Sequence, residues 1–454
     1  MTAPLTQLYA KFVSDWANWS SVPTDSLAVA RLGFTDCVGV MLAGQNEEAV
    51  GHLRVHVTAQ GGKPVARMVG SGTRVSPVQA ALVNATAAHA LDYDDFAFSN
   101  HPSAVLVPTI LAAADAHGAS GHQMALAYLA GYEVWADLML REKDLYYDKG
   151  WHPTAVLGPV GAAAAAAVAM GLNPTQTCHA LALAASDSGG VFENFGTMAK
   201  PYHGGRAAAA GLSAASMALC GMEASAAALE GKHGLMQALS PRGQVDLARL
   251  PKLGAEWRSA TLRLNIKKYP VVGAAQRGID AVLGLNSRHA INPWSVAHIA
   301  AHVSERHAAV MPYHLPQNAL QAKFSLEFAI ASALVHNAVG FDQLQDSIVT
   351  APLIQQSMSR VKIHTTAEFE PEWRDAAPFD VVHFVMDDGR TLSSPQVRRA
   401  TGHADAPLSL DALRRKFNGC TEQVGLANAA SNDLFHALQR VDTLSSAQEI
   451  QWSA

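Results

Sequence analysis

The sequence predicts a mainly α-helical protein that contains one smaller α+β domain. Up to about residue 260, apolar residues recur with helical spacing and alanine is very frequent. From about residue 261 to residue 400, short runs of β-branched residues alternate with helical stretches, and helical patterns return after residue 400. This order predicts a large helical domain built from both ends of the chain, with the α+β region between them.

The helical region carries start signals ahead of several predicted helices. Thr24 can cap the helix that runs through VARLGFTDCVGVML, with Gly44 just past its end. Pro77 and Pro174 each occupy the first position of a further predicted helix. Between these helices, residues 63–77 are typical of a small hairpin. The small side chains predict a tightly packed helical core.

The α+β region shows strand patterns and one clear turn signal. The Asp-Asp-Gly-Arg sequence at Asp387–Arg390 is typical of a hairpin turn. The predicted strands lie at 261–270, 295–304, 359–366 and 380–394. The predicted helices lie at 273–285, 318–335 and 341–349, followed by 410–417 and 432–442 in the C-terminal part.

Composition excludes several classes of protein. Hydrophobic residues make up 49% of the chain and charged residues 16%, with a net charge of −5, which favours a large core and no disorder. The chain has no long basic run, so we expect no nucleic-acid partner. We expect no membrane partner, because no leader pattern or long apolar span stands out. The 4 widely spaced cysteines fit the cytoplasm.

Three basic residues each precede a proline and a run of small apolar residues. They are His101, His152 and Lys200. Proline favours the first helical position, so each basic side chain should lie at a helix N-terminus, where anions bind. His203 and Arg206 flank two glycines at the expected start of the next helix, and arginine grips carboxylates with two hydrogen bonds. The alternative is that each proline is ordinary helix punctuation.

Acidic and lysine residues near these segments are further candidates. The cluster Asp92-Tyr93-Asp94-Asp95 ends a predicted helix, where carboxylates are unfavourable without partners. They can orient His101 or His152, or they can belong to a solvated turn. Lys267 and Lys268 lie where the helical pattern ends, and they suit either a carboxylate ligand or an exposed strand end.

Signatures of bound cofactors are missing from the sequence. It has no dinucleotide or phosphate-binding glycine loop in a strand–helix context, no HExxH motif and no convincing metal-ligand spacing. We therefore expect neither a metal nor an organic cofactor. Histidines, lysines and aspartates remain, and this set suits proton transfer next to carboxylates.

Several motifs together resemble one known family. The segments HALDYDD, HPSAVLVPTILAAAD, KGWHPTAVLGPVG, MAKPYHGGRAAAAG, IKKYP and AKFSLEFAIA resemble, in this order, the MmgE/PrpD family, which includes 2-methylcitrate dehydratase, iminodisuccinate epimerase and cis-aconitate decarboxylase. The resemblance implies a helical domain formed by residues 1–264 and 401–454, with residues 265–400 as an inserted α+β lid. It also implies a homodimer, no cofactor and a small polycarboxylate substrate.

The resemblance also implies a set of site residues. The catalytic residues would be Asp92, His101, His152, Lys200 and Lys267. The residue pattern adds His203, Arg206 and Lys268 as expected substrate-binding residues, and Phe96 and Gln276 join them as residues that stand at family site positions.

Three positions depart from the family pattern. Phe96 stands where threonine is frequent, Gln276 where histidine is common and Phe328 where tyrosine is common. Phe96 and Phe328 would give an apolar pocket wall, which predicts a substrate other than the usual tricarboxylates.

Three functions remain open at this point. The first is a lyase that eliminates water or carbon dioxide from a di- or tricarboxylate, with His101 or His152 moving the proton. The second is an epimerase or isomerase that uses the same base and cations. The third is a carboxylate-binding protein without activity.

Overall fold

In a computed structural model, the protein is described over residues 4–19, 21–370 and 376–452. Helices make up 56% of it and strands 9%, which confirms the mainly α fold class. The chain forms two compact units. The first unit comprises Met1–Ala90, Asp94–Asn265 and Ser409–Ala454, and the second comprises Leu91–Tyr93 and Ile266–Leu408.

Helices begin and end at the following residues. They are α1 Leu5–Ser14, α2 Thr24–Gly44, α3 Glu48–Gln60, α4 Pro77–Ala90, α5 Pro102–His117, α6 Gly121–Met139, α7 Pro153–Met170, α8 Pro174–Ser186, α9 Ala199–Leu219, α10 Leu235–Leu239, α11 Arg258–Thr261, α12 Gln276–His289, α13 Glu305–Ala309, α14 Ala319–Ala322, α15 Leu326–His336, α16 Asp346–Val349, α17 Pro352–Ser359, α18 Leu410–Glu422 and α19 Asn428–Leu438. The first unit holds α1–α11 together with α18 and α19.

The strands form one hairpin and one small sheet. They are β1 Ala66–Arg67, β2 Arg74–Val75, β3 Val296–Ser304, β4 Val361–Thr366, β5 Val381–Met386 and β6 Thr391–Ser393. The antiparallel pair β1–β2 confirms the expected hairpin in the helical region. In the second unit the strand order is β4-β3-β5-β6, with β3 and β4 parallel and the other pairs antiparallel.

One predicted strand is wrong, and two predicted helices are shorter than expected. Residues 261–270 form no strand; only single backbone contacts occur there, such as that between Asn265 and Phe96. The helix predicted at 318–335 breaks before Ser325, whose hydroxyl accepts a hydrogen bond from the Phe328 amide and so caps α15. Only four residues of 341–349 are α-helical.

The core of the first unit depends on very close helix contacts. Helix α9 packs against α4, α7 and α8. A Cβ atom added at Gly211 of α9 would lie 2.4 Å from Cβ of Ala162 and 2.6 Å from the carbonyl oxygen of Pro159. Such distances leave room only for hydrogen, so the backbones of α7 and α9 nearly touch. This contact places the first turns of both helices side by side.

Two helices of the first unit are long and apolar enough to span a membrane by length and composition. They are Thr24–Gly44 and Pro153–Met170. However, 78% of the first apolar window and 94% of the second are buried inside the protein. Core helices of globular proteins have this same property.

Candidate functional site

Two histidines stand at the N-termini of neighbouring helices in the first unit, as the sequence predicts. His101 is the N-cap residue of α5 and His152 that of α7, each followed by proline at the first helical position. The backbone amide of His101 donates a hydrogen bond to Oγ1 of Thr154 at 3.3 Å, which ties the two helix starts together. The centroids of the two imidazole rings are 6.5 Å apart.

A carboxylate joins His101 to a second histidine. Asp94 Oδ2 lies 2.9 Å from Nδ1 of His101 and 3.0 Å from Nδ1 of His89, in the last turn of α4. All atoms of the Asp94 side chain are buried. Nδ1 of His101 also lies 3.1 Å from the Asp95 carbonyl oxygen. These contacts fix both rings and favour the proton on Nδ1 of each, since Asp94 accepts.

A lysine completes this arrangement from a third helix. Lys200 is 3% exposed and donates from Nζ to Nε2 of His89 at 3.1 Å. Its ammonium group also lies 5.2 Å from the centroid of the Phe195 ring. Burial lowers the pKa of His89 to about 3, the Asp94 carboxylate opposes this shift, and the Lys200 charge adds to it. His89 is therefore neutral at pH 7.

The second buried contact of the site joins two imidazoles. Nδ1 of His152 lies 3.2 Å from Nδ1 of His203. His152 is fully buried, and its other nitrogen, Nε2, has no hydrogen-bond partner within the described part of the chain. Burial, helped by the Lys200 charge, holds the pKa of His152 well below its usual value. Burial, the Lys200 charge and the Arg206 charge lower the pKa of His203 to about 4.

The start of α9 corrects one expectation. Lys200 is the second residue of the helix rather than the residue before it, and His203 to Arg206 lie inside the helix. Gly205 serves helix packing, because a Cβ atom there would lie 2.0 Å from Oγ1 of Thr86. Arg206 is exposed and pairs with Asp187 at 3.9 Å. It therefore does not belong to the histidine cluster, which consists of His89, His101, His152 and His203.

Asp92 and Lys267 form a buried ion pair within the second unit. Nζ of Lys267 lies 3.0 Å from Oδ2 of Asp92 and also donates a hydrogen bond to the backbone carbonyl oxygen of Asp92 at 2.8 Å. Asp92 has a left-handed backbone, with φ of 50°. Its neighbour two residues on, Asp94, is the residue that orients His101. The role of Asp92 towards the histidines stays a prediction.

The other expected substrate-binding residues have different surroundings. Gln276 is buried, and its side-chain amide bonds the backbone of the segment from Lys268 to Val271 four times, at 2.9 to 3.1 Å. It therefore fixes a loop instead of facing a ligand. Lys268 is exposed and lies 3.7 Å from Asp280. Phe96 is half-buried and pairs with Asn265 through backbone hydrogen bonds.

Phe328 is fully buried in the hydrophobic core of the second unit. It is a core residue, which corrects the expectation of a pocket wall at this position. Of the three departures from the family pattern, those at Gln276 and Phe328 are thus explained by the interior of this unit.

The donor set of the first unit also suits a metal ion in principle. The ligand atoms of His89, Asp94 and His101 all lie within 4.8 Å of one another, and transition metals accept imidazole and carboxylate. However, the contacts of 2.9 to 3.0 Å are those of hydrogen bonds. The Lys200 ammonium bonded to the other nitrogen of His89 opposes a second cation. We therefore interpret the trio as a hydrogen-bonded acid–base group.

Sequence reasoning missed His89 altogether and did not single out Asp94. A signal was present, because HALDYDD places both residues around the end of α4, five positions apart. Neither residue precedes a proline, so the proline pattern that marks helix starts does not select them.

Comparisons with known proteins match most of the chain. The MmgE/PrpD N-terminal domain matches residues 7–248 and the MmgE/PrpD C-terminal domain matches residues 269–439. Cis-aconitate decarboxylase of Mus musculus is 28% identical over 359 residues, covering 76% of this chain and 72% of the relative. The Homo sapiens cis-aconitate decarboxylase is 27% identical over 364 residues, with the same coverage. The cis-aconitate decarboxylase-like protein oryM of Aspergillus oryzae is 24% identical over 453 residues, covering 90% of each chain.

Proposed function

Because this chain belongs to the MmgE/PrpD family, we propose that it is a lyase that releases carbon dioxide from a small unsaturated tricarboxylate by acid–base catalysis. Three relatives are named as cis-aconitate decarboxylases or decarboxylase-like proteins, which supports this choice among the eliminations open to the family. Cis-aconitate is therefore the first substrate to test.

The observation that carries the proposal is the unpartnered Nε2 of His152. A buried polar atom without a partner is costly, and one that lies among catalytic-type side chains is explained by a bound ligand or water that supplies the missing hydrogen bond. The atom belongs to a ring that is neutral at pH 7 and therefore able to donate or accept a proton there. The reacting carbon of the substrate would occupy the position next to it.

Positive charge around His152 favours a polycarboxylate. The Lys200 ammonium is close enough to lower the pKa of both His152 and His203. The N-termini of α5 and α7 add free backbone amides and the positive ends of two helix dipoles. These groups would bind the substrate carboxylates that are not lost as carbon dioxide.

Decarboxylation then needs one proton donor. The bond between the substrate carbon and its carboxylate breaks, carbon dioxide leaves, and the electron pair stays on the substrate. His152 would return a proton from Nε2 to that carbon. Lys200 would stabilise the charge that develops on the remaining carboxylates. Asp94 would keep His89 and His101 in fixed orientations beside the substrate.

An epimerase is the second candidate, and one distance favours it. His101 and His152 have their ring centroids 6.5 Å apart, with planes inclined by 66°. Two bases at this separation can remove a proton from one face of a carbon and return one to the other face. Such a reaction would release neither carbon dioxide nor water.

Nuclear magnetic resonance in heavy water separates these reactions. The purified chain is mixed with cis-aconitate, citrate, 2-methylcitrate and related dicarboxylates. A decarboxylase yields a product one carbon shorter with one deuterium, whereas an epimerase incorporates deuterium without loss of carbon. Replacing His152 with asparagine should lower turnover by about 10²-fold or more. The matched control is His52→Asn, because the His52 side chain is 70% exposed on α3. Unchanged turnover in H152N would contradict the proposal.

A further inference from the structure

His203 is the more exposed of the two imidazoles in the His152–His203 contact. It follows Lys200 by three residues on α9 and retains 6% exposure, whereas His152 has none. Their Nδ1 atoms are 3.2 Å apart, so one of these atoms carries a hydrogen and the other accepts it. With both rings neutral, a proton on Nδ1 of His203 leaves His152 protonated on Nε2, the unpartnered atom.

The backbone beside this pair keeps His203 in place. The carbonyl oxygen of Gly190 accepts a hydrogen bond from the His152 amide at 2.9 Å. A Cβ atom at Gly190 would lie 2.5 Å from Cβ of Ala155 and 3.2 Å from Cγ of His203. A side chain at this position would collide with Ala155 and crowd the His203 ring.

Loss of carbon dioxide from a carboxylate consumes one proton per turnover, because the carbanion left behind must be protonated. Elimination of water has no such requirement, since the proton removed by the base balances the proton given to the leaving hydroxide. A decarboxylase with a fully buried donor therefore needs a route that brings protons from solvent. This requirement rests on the proposed function.

We propose that His203 is this route and relays protons from water to His152. As the substrate carbon takes the proton from Nε2 of His152, Nδ1 of His152 accepts the proton from Nδ1 of His203. In the same step a water molecule donates a proton to Nε2 of His203 and releases hydroxide to the solvent, so both rings end neutral with exchanged tautomers. Water that enters after the product leaves returns the rings to their starting tautomers. The balance is one proton taken from solvent for each carbon dioxide released.

The charges around the pair suit a relay of this kind. Lys200 and Arg206 both lower the pKa of His203, after the effect of burial. Lys200, His89, His101 and His203 lower that of His152, again after burial. A stored imidazolium is therefore unfavourable at either ring, and the concerted transfer avoids one.

The test compares three substitutions at one position. His203→Gln keeps a side chain that hydrogen-bonds His152 but cannot pass a proton, whereas His203→Ala leaves space for free imidazole. We expect kcat for carbon dioxide release to fall by about 10²-fold in H203Q with little change in KM, and imidazole to restore H203A in part. His203→Asn is the shorter amide and should behave like H203Q. His52→Gln provides the control for the chemical change itself.

A solvent isotope effect supplies a second readout. If His203 relays the proton, the ratio of kcat in water to kcat in heavy water should increase in H203Q, since proton delivery becomes slower than bond cleavage. Wild-type kcat in a folded H203Q, or no rescue of a folded H203A by imidazole, would overturn the relay. If the wild-type chain releases carbon dioxide from no polycarboxylate, the proposed function itself fails, and the two failures are distinct.

Discussion

Lys200 donates a hydrogen bond from Nζ to Nε2 of His89 at 3.1 Å, across the contact between α9 and α4. The bond joins a buried cation to a neutral imidazole, and the opposite nitrogen of that ring contacts Asp94. The sequence pattern selected Lys200 because it precedes a proline. In the structure its ammonium group is the positive charge of the histidine cluster.

Removing that charge should raise two pKa values. In Lys200→Met, the pKa of His89 should increase from about 3 and that of His203 from about 4, because the Lys200 charge lowers both. Titration of the histidine ring signals by NMR between pH 3 and pH 8 measures both values. Lys11→Met, at an exposed position of α1, should leave them unchanged. Unaltered values in K200M would show that the ammonium does not act on these rings.

Asp94→Asn should lower turnover by about 10²-fold. Oδ2 of Asp94 contacts both rings and Oδ1 also contacts His89; in the amide one of these oxygens becomes an NH2 donor and the negative charge is lost, so the hold on His89 and His101 weakens. Steady-state kinetics with the substrate found by NMR provides the measurement. Asp411→Asn, whose side chain is 70% exposed, is the control. Wild-type rates in D94N would exclude an orienting role for this carboxylate.

Breaking the Asp92–Lys267 pair should destabilise the second unit. Lys267→Met leaves the Asp92 carboxylate buried without its cation, which should cost about 3–5 kcal/mol of unfolding free energy. The double variant D92N/K267M should recover part of this loss, because no uncompensated charge remains. Calorimetry resolves the transitions of the two units.

Lys268→Met is the matched control for that pair, since the neighbouring Lys268 side chain is 42% exposed. Its unfolding free energy should change by less than about 1 kcal/mol. Equal effects of K267M and K268M would contradict the burial of the pair.

Gly205→Ala should destabilise the first unit by about 1–3 kcal/mol, because the added methyl group would overlap Thr86 and the backbone of Leu82. Gly419→Ala in α18 meets no atom within 4 Å and should stabilise its helix by about 0.5–1 kcal/mol. Thermal unfolding of both variants gives the comparison. A neutral G205A would mean that α4 and α9 are more loosely packed than described.

The sequence predicted local structure better than it predicted contacts between residues that are distant in sequence. Proline after His101 and after His152 correctly indicated two helix starts, because proline acts on its own backbone and that of its neighbour. The strand expected at 261–270 does not form, because alternation specifies which face is buried and does not supply a partner strand. The Ile266 amide donates instead to the carbonyl oxygen of Gly402. The meeting of His89 with Lys200 depends on helices that are far apart in sequence.

The glycine contact between α7 and α9 has a consequence for how activity responds to heat. His152 stands at the start of α7, and Lys200 and His203 stand in the first turn and a half of α9. Since Gly211 meets only the Ala162 methyl group and backbone atoms of α7, there is no flexible side chain at the contact whose repacking could gradually change the spacing of these groups. Warming should therefore leave the specific activity of the folded enzyme intact until the helices separate, and inactivation should coincide with cooperative unfolding.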